Sequence, residues 1–203
     1  MNNQSKFGTR RVVRIAIFGA LSAVLYFIPG IPIIPPIYKL DFSTIPVLTA
    51  ALLSGPVDAV IALLIKDLTG LLHSSSMGVG ELADFICSGV LTLTAYFICG
   101  KIKLCSAKKS VLALLSGIIA MTIAGAFVNY YIMIPFYVDV FNMPLDSIVG
   151  MIGKVIPAVT DLNKLIMYAT CPFNLLKGIV ISILAYLISL RISKERKLDV
   201  IFD

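Results

Sequence analysis

Charge is scarce in this sequence. Only 14% of its 203 residues are charged, against roughly 25% in ordinary soluble domains, while 59% are hydrophobic and the mean hydropathy is +0.98. That balance excludes an ordinary soluble domain. Histidine is nearly absent too: His73 is the only one, placed in a loop, so neither a metal site nor a Ser-His triad is supported. No G-x-x-x-x-G-K-[ST] segment occurs, which excludes ATP hydrolysis by the usual phosphate-cradling loop, and the glycines form no dinucleotide fingerprint. The four cysteines, Cys87, Cys99, Cys105 and Cys171, have no zinc-type spacing. With disulfides uncommon in a reducing cytosol, they read as small apolar packing residues. The apolar run Ala16 to Ile28 enters Pro29-Gly30 with no small-x-small site beyond it, which argues against a cleaved signal peptide.

What is present are apolar runs close to the ~20 residues that an α-helix needs to cross the hydrocarbon layer. The net charge of +6 does not mark a nucleic-acid footprint, because Lys and Arg gather at the ends of these runs and are not interleaved with aromatics. Runs over about 12–28, 80–99, 111–134 and 171–190 each predict one span. Phe42 to Leu72 is apolar for 31 residues but is broken at Gly55-Pro56. Three basic clusters decide its reading: Lys6, Arg10, Arg11 and Arg14; Lys101, Lys103, Lys108 and Lys109; and Arg191, Lys194, Arg196 and Lys197. The positive-inside rule puts all three in the cytoplasm, so an even number of crossings separates each pair. The 42–72 run must then cross twice, as spans 42–54 and 57–72 with a turn at Ser54-Gly55-Pro56. The expectation is a single-domain, all-α integral membrane protein of about six transmembrane helices in the bilayer, both termini cytoplasmic. The Pro-rich stretch with Pro29, Pro32, Pro35 and Pro36, the 73–79 loop and the long 135–170 connection then lie outside. Within that connection 148–156 and 162–168 are apolar enough to lie in the interface, as a lid or as a plain loop.

Ionisable and strongly polar side chains inside spans are costly and usually face a bundle interior or a wet cavity. Asn174 and Lys177 are three apart near the external end of the last span, behind Pro172 in its first turn. Together they offer amide donors, a carbonyl and an ammonium. A planar heterocycle edged with carbonyls and an imide N–H would satisfy them, as would a carboxylate. Glu81 and Asp84 share a face at the external start of another span, for polyol recognition, for pairing with Lys177, or to complement the helix dipole. Asn129, in Asn129-Tyr130-Tyr131, lies at similar depth. Lys66-Asp67 reads as a self-neutralising pair at a span end. Ala16 and Ala20, four apart, permit a close helix contact, within the protein or with another one.

The ordered segments Lys39-Leu40-Asp41-Phe42-Ser43, Ile45-Pro46, Gly55-Pro56, Ile65-Lys66-Asp67, Gly78-Val79-Gly80-Glu81-Leu82-Ala83-Asp84-Phe85, Asn129-Tyr130-Tyr131 and Pro172-Phe173-Asn174-Leu175-Leu176-Lys177-Gly178 carry a resemblance. From Arg10 to Leu190 the chain resembles a substrate-binding S component of an energy-coupling-factor transporter, most closely the riboflavin-specific type. The resemblance implies no enzymatic activity, a bacterial cell-membrane location, and riboflavin or a related flavin as transported ligand rather than as cofactor. It implies assembly with a transmembrane coupling subunit and two cytosolic ATPases, and toppling of the S component to release its cargo. Asn129, Asn174 and Lys177 fall where that type holds the flavin ring, and Leu40, Asp41, Phe42, Glu81, Asp84 and Tyr130 complete the implied pocket. Asp84 stands where an asparagine is more often expected. Ala16 and Ala20 match the family's contact with its coupling subunit. Two other readings remain: an S component for another vitamin such as pantothenate, and an intramembrane enzyme.

Overall fold

The computed structural model describes residues 8–34, 38–74, 76–102 and 105–194. Lys6, Pro35, Pro36, Lys103, Arg196 and Lys197 lie outside the described residues. In chain order the elements are α1 (Thr9–Phe27), β1 (Ile31–Ile34), β2 (Tyr38–Leu40), α2 (Thr44–Leu53), α3 (Pro56–Leu71), α4 (Val79–Cys99), α5 (Ala107–Asp139), α6 (Leu145–Gly153) and α7 (Leu162–Lys194). The fold is therefore helical with one exception to the all-α expectation. Part of the Pro-rich stretch forms an antiparallel hairpin in which Ile31 faces Leu40 and Ile34 faces Tyr38, with an irregularity between Pro32 and Ile34. Pro is tolerated on an edge strand, whose outward N–H has no ladder to serve.

Among the described residues three helices, α4, α5 and α7, are long and apolar enough to cross a membrane. The others depart from simple spans: α1 carries Arg10, Arg11 and Arg14 in its first turns, α3 contains Asp58, Lys66 and Asp67, and α2 has 10 residues, about 15 Å of helix. Every residue of α2 from Thr44 to Leu53 is buried. A helix that is apolar all round belongs in a core, and α2 packs against α1, α3, α4 and α7. Its chain reverses at Gly55, whose φ of +126° suits glycine, and Pro56 opens α3 where no amide donor is needed. Asp58 in the first turn of α3 is 1% exposed and holds Arg11 at 2.6 Å and Arg14 at 3.5 Å, which ties α1 to α3.

The helices extend further than the sequence suggested around two prolines. The fifth span was expected to end near Ile134 and the last to begin at Cys171, but α5 runs to Asp139 and α7 starts at Leu162. Each contains a π turn, Asn129–Met133 and Ile166–Thr170, ending two residues before Pro135 and Pro172. A proline inside an α-helix clashes with the carbonyl four residues back and donates no hydrogen bond. The wider π turn holds that carbonyl, so the helix continues through the proline. The 135–170 connection thus shrinks to α6 and its flanks.

One cysteine reading is corrected. Cys99 and Cys105 are joined by a disulfide, their Cα atoms 5.6 Å apart, because Gly100 at φ +73° turns the chain back at the end of α4. Cys87 and Cys171 are free thiols.

Outward faces of the long helices are apolar: Leu112, Leu115, Ile119, Ile123 and Phe127 line one side of α5, each at least half exposed. Such a surface suits lipid. Inside, α4 and α5 approach so closely that a Cβ on Gly117 would lie 2.8 Å from the backbone oxygen of Leu91. Backbone cannot yield as a flexible side chain can, so Gly117→Ala is expected to destabilise the bundle by roughly 1–3 kcal/mol. Thermal unfolding in detergent checks this, and an unchanged midpoint would contradict the close α4–α5 packing.

Candidate functional site

Two apolar cores leave a space between them. The larger joins α2, α3, α4, α5 and α7, and the smaller joins Ile34 and Tyr38 of the hairpin to Ile148, Val149 and Ile152 of α6 and Phe173 of α7. Between them lies a cavity of about 610 Å³, within the size range of small-molecule sites. Met121, Ile134, Ile148, Met151 and Phe173 give it apolar walls.

One wall is charged. Lys177 Nζ on α7 donates to Asp41 Oδ2, between β2 and α2, and to Asp84 Oδ1 on α4, both at 2.8 Å. The other oxygen of Asp84 accepts from Lys66 Nζ on α3, and Lys66 also lies 2.8 Å from Asp67 Oδ1. The result is one chain, Asp41–Lys177–Asp84–Lys66–Asp67, of three carboxylates and two ammonium groups drawn from four parts of the fold. Ser43 supports Asp41 with its backbone N–H at 3.1 Å and with its hydroxyl. Burial alone would raise the Asp41 carboxyl, but the Lys177 ammonium outweighs it and holds the group below the ordinary carboxylate value.

Next to this chain, Asn174 donates one N–H to Thr170 O at 2.9 Å, and Asn129 donates one to Gly125 O at 2.8 Å. Both asparagines line the cavity. Gly125 is needed here, since a Cβ on it would lie 2.7 Å from Asn174 Nδ2. Tyr38 reaches in from the hairpin: its hydroxyl pairs with Thr170 Oγ1 at 2.6 Å and donates to Asn129 Oδ1 at 3.4 Å. Burial pushes that phenol up to about 12, so it acts as a neutral hydroxyl. Glu81 lines the far side and accepts from Tyr26 at 2.8 Å, Ser74 at 2.7 Å and Ser76 at 3.2 Å.

Six of the nine candidate pocket residues, Asp41, Glu81, Asp84, Asn129, Asn174 and Lys177, line this cavity. Leu40, Phe42 and Tyr130 do not: Leu40 is buried, Phe42 packs on the larger core, and Tyr130 on α5 is 36% exposed. Glu81 serves Tyr26, Ser74 and Ser76, while Asp84 pairs with Lys177. Lys66-Asp67, read as a local pair, belongs to the site through Asp84. A lysine inside a span faces the bundle by default, and that was the signal available for it. Tyr26 and Tyr38 had no such signal. Ala16 and Ala20 are exposed, on the face of α1 opposite Ile15, Phe18, Gly19 and Ser22.

The family model for the substrate-specific component of ECF transporters matches residues 10–189. The chain belongs to that family. It is 34% identical to the riboflavin transporter RibU of Staphylococcus aureus (strain TCH60), over 97% of this chain and 99% of the relative. It is 29% identical to the riboflavin transporter FmnP of Bacillus subtilis (strain 168), over 90% and 92%. A solved structure described as the S component of a bacterial ECF transporter superposes with a TM-score of 0.69 at 34% identity, covering 91% of this chain and 96% of that one.

Thr170 is fully buried, and the Tyr38 hydroxyl is its partner across to the hairpin. Tyr38→Phe deletes that partner, which is expected to cost about 1–3 kcal/mol and to loosen the hairpin locally. Hydrogen exchange in β1 and β2 should quicken while α2 keeps its protection. Unchanged exchange would show that apolar packing alone holds the hairpin.

Proposed function

We propose that this ECF-family chain captures riboflavin at the outer face of a bacterial cytoplasmic membrane and carries it inward as the substrate subunit of an importer. The observation that carries the reading is the convergence of Lys177, Asn174 and Asn129 on one cavity with apolar walls. Riboflavin has a flat, uncharged ring system edged with carbonyls, ring nitrogens and an imide N–H. Met121, Ile134 and Phe173 offer apolar surface for its faces. Each asparagine keeps a second N–H beyond its helix bond, and Lys177 has three N–H groups for two carboxylates. The similarity to RibU and FmnP supports the same ligand.

A carboxylate vitamin such as pantothenate fits less well. The lining holds Asp41, Glu81 and Asp84 against Lys39 and Lys177, three carboxylates to two ammonium groups, and a further anion adds repulsion.

Six crossings with both termini inside follow from the basic clusters by the positive-inside rule. On that topology the hairpin and α6 roof the cavity from outside. A role in binding rather than catalysis is supported by the family and by relatives named as transporters. In this reading energy comes from partners, and membership in the ECF family supports a transmembrane coupling subunit with two cytosolic ATPases in that role. The exposed Ala16 and Ala20 suit that contact, because small residues let helices approach closely in lipid.

Ala16→Trp or Ala20→Trp is expected to abolish uptake in cells while purified protein still binds its vitamin. Uptake that survives both changes would remove the interface reading, and loss of binding would place the alanines in internal packing.

Lys177→Ala should weaken riboflavin binding about 10-fold to 150-fold, since a hydrogen bond from a charged donor contributes roughly 1.5–3 kcal/mol. Asn174→Ala should fall nearer the lower bound. Added salt should barely change the affinity, because the ligand is uncharged. Titration calorimetry with riboflavin and pantothenate, at low and high salt, measures all of this. Unchanged affinity in Lys177→Ala would sink the site, and a wild type that binds no riboflavin would sink the function.

A further inference from the structure

Lys66 stands behind the cavity wall and does not line it. Its side chain is 0% exposed, in contact with Asp84 and Asp67, and its ammonium lies 5.7 Å from the centre of the Tyr26 ring. A buried ammonium is seldom the most stable way to fill such a space, because a well-packed apolar side chain avoids the desolvation. Its position relative to Lys177 gives it a use. Asp84 is shared between the two lysines, one carboxylate oxygen to each.

We infer that Lys66 is a positioning residue for ligand capture: by neutralising Asp84 from behind, it keeps the Lys177 ammonium available to the cavity. With Lys66 in place, Asp84 divides its charge and only one of its oxygens holds Lys177. With Lys66 removed, Asp41, Asp67 and Asp84 face a single ammonium group, and Asp84 draws Lys177 toward itself with its full charge. A flavin carbonyl is a neutral acceptor, and it competes poorly with a buried carboxylate for the same N–H. The ligand in this inference rests on the riboflavin reading above. The Lys66–Asp84 coupling does not.

The test is a double-mutant cycle in detergent on the full chain, with Lys66→Met, Asp84→Asn and the double variant. Riboflavin affinity is read by calorimetry, and thermal midpoints are read without ligand. Lys66→Met alone is expected to weaken riboflavin binding about tenfold or more. The double variant is expected to bind within about threefold of Asp84→Asn, because removing the carboxylate removes the need for its counter-charge. A lysine that only fills space or pairs with Asp67 would not be rescued in this way.

Wild-type affinity in Lys66→Met overturns the inference. So does a folded double variant as weak as Lys66→Met. Should Lys66→Met fail to fold, a double variant that folds and binds like Asp84→Asn supports the role, and one that also fails to fold overturns it. If the wild type binds no riboflavin, the proposed function fails separately. The ligand-free midpoints then decide the coupling: rescue of Lys66→Met by Asp84→Asn supports it, and simple additivity overturns it.

Discussion

The structure depends on bringing charge into a layer that cannot solvate it. An ion moved into a low-dielectric interior loses several kcal/mol of hydration, and only a close partner with good geometry returns it. Here the solution is a chain, not a pair. Lys177 holds Asp41 and Asp84, and Asp84 reaches back to Lys66, whose other contact is Asp67. Because the members come from the β2–α2 junction, α3, α4 and α7, the requirement to keep them together fixes how those elements meet. The short helix α2, buried on every side, fills the space they enclose.

A second constraint is backbone polarity next to a cavity. Without water, each unsatisfied carbonyl costs several kcal/mol. Pro135 and Pro172 each remove a donor, and each follows a π turn that accommodates the ring. The same turns place side chains. Asn129 is the first residue of one, and Thr170, which accepts from Asn174 and pairs with Tyr38, is the last residue of the other. Irregular helix is thus concentrated where the cavity is lined, as is common for π turns at functional sites.

Much of this was legible in the sequence, for identifiable reasons. Polar residues inside apolar runs stand out one by one, so Asp84, Asn129, Asn174 and Lys177 are visible without coordinates. Gly55-Pro56 marks the break between α2 and α3 because its backbone chemistry is local. What was not legible depends on distance in the chain. Lys66 lies 18 residues from Asp84, and Lys177 lies 136 from Asp41, so no periodicity links them. The helix ends near Pro135 and Pro172 were misplaced because proline usually ends a helix, and nothing local announces a π turn. Tyr130 was grouped with Asn129 as a neighbour, yet adjacent residues on a helix point different ways, and Tyr130 faces outward.

The arrangement also bears on how capture is communicated. A ligand shifts a conformational equilibrium only through a difference in its affinity for the two states. Lys177 binds Asp41, which sits where the hairpin enters α2, so the ammonium that faces the cavity also tethers the hairpin. A ligand that accepts the remaining Lys177 N–H draws on the same ammonium that holds Asp41. Tyr38 adds a second tether from the same hairpin, to Asn129 and Thr170 on the two helices that carry the neutral donors. The hairpin and the cavity therefore share the residues that would meet a ligand under the riboflavin reading.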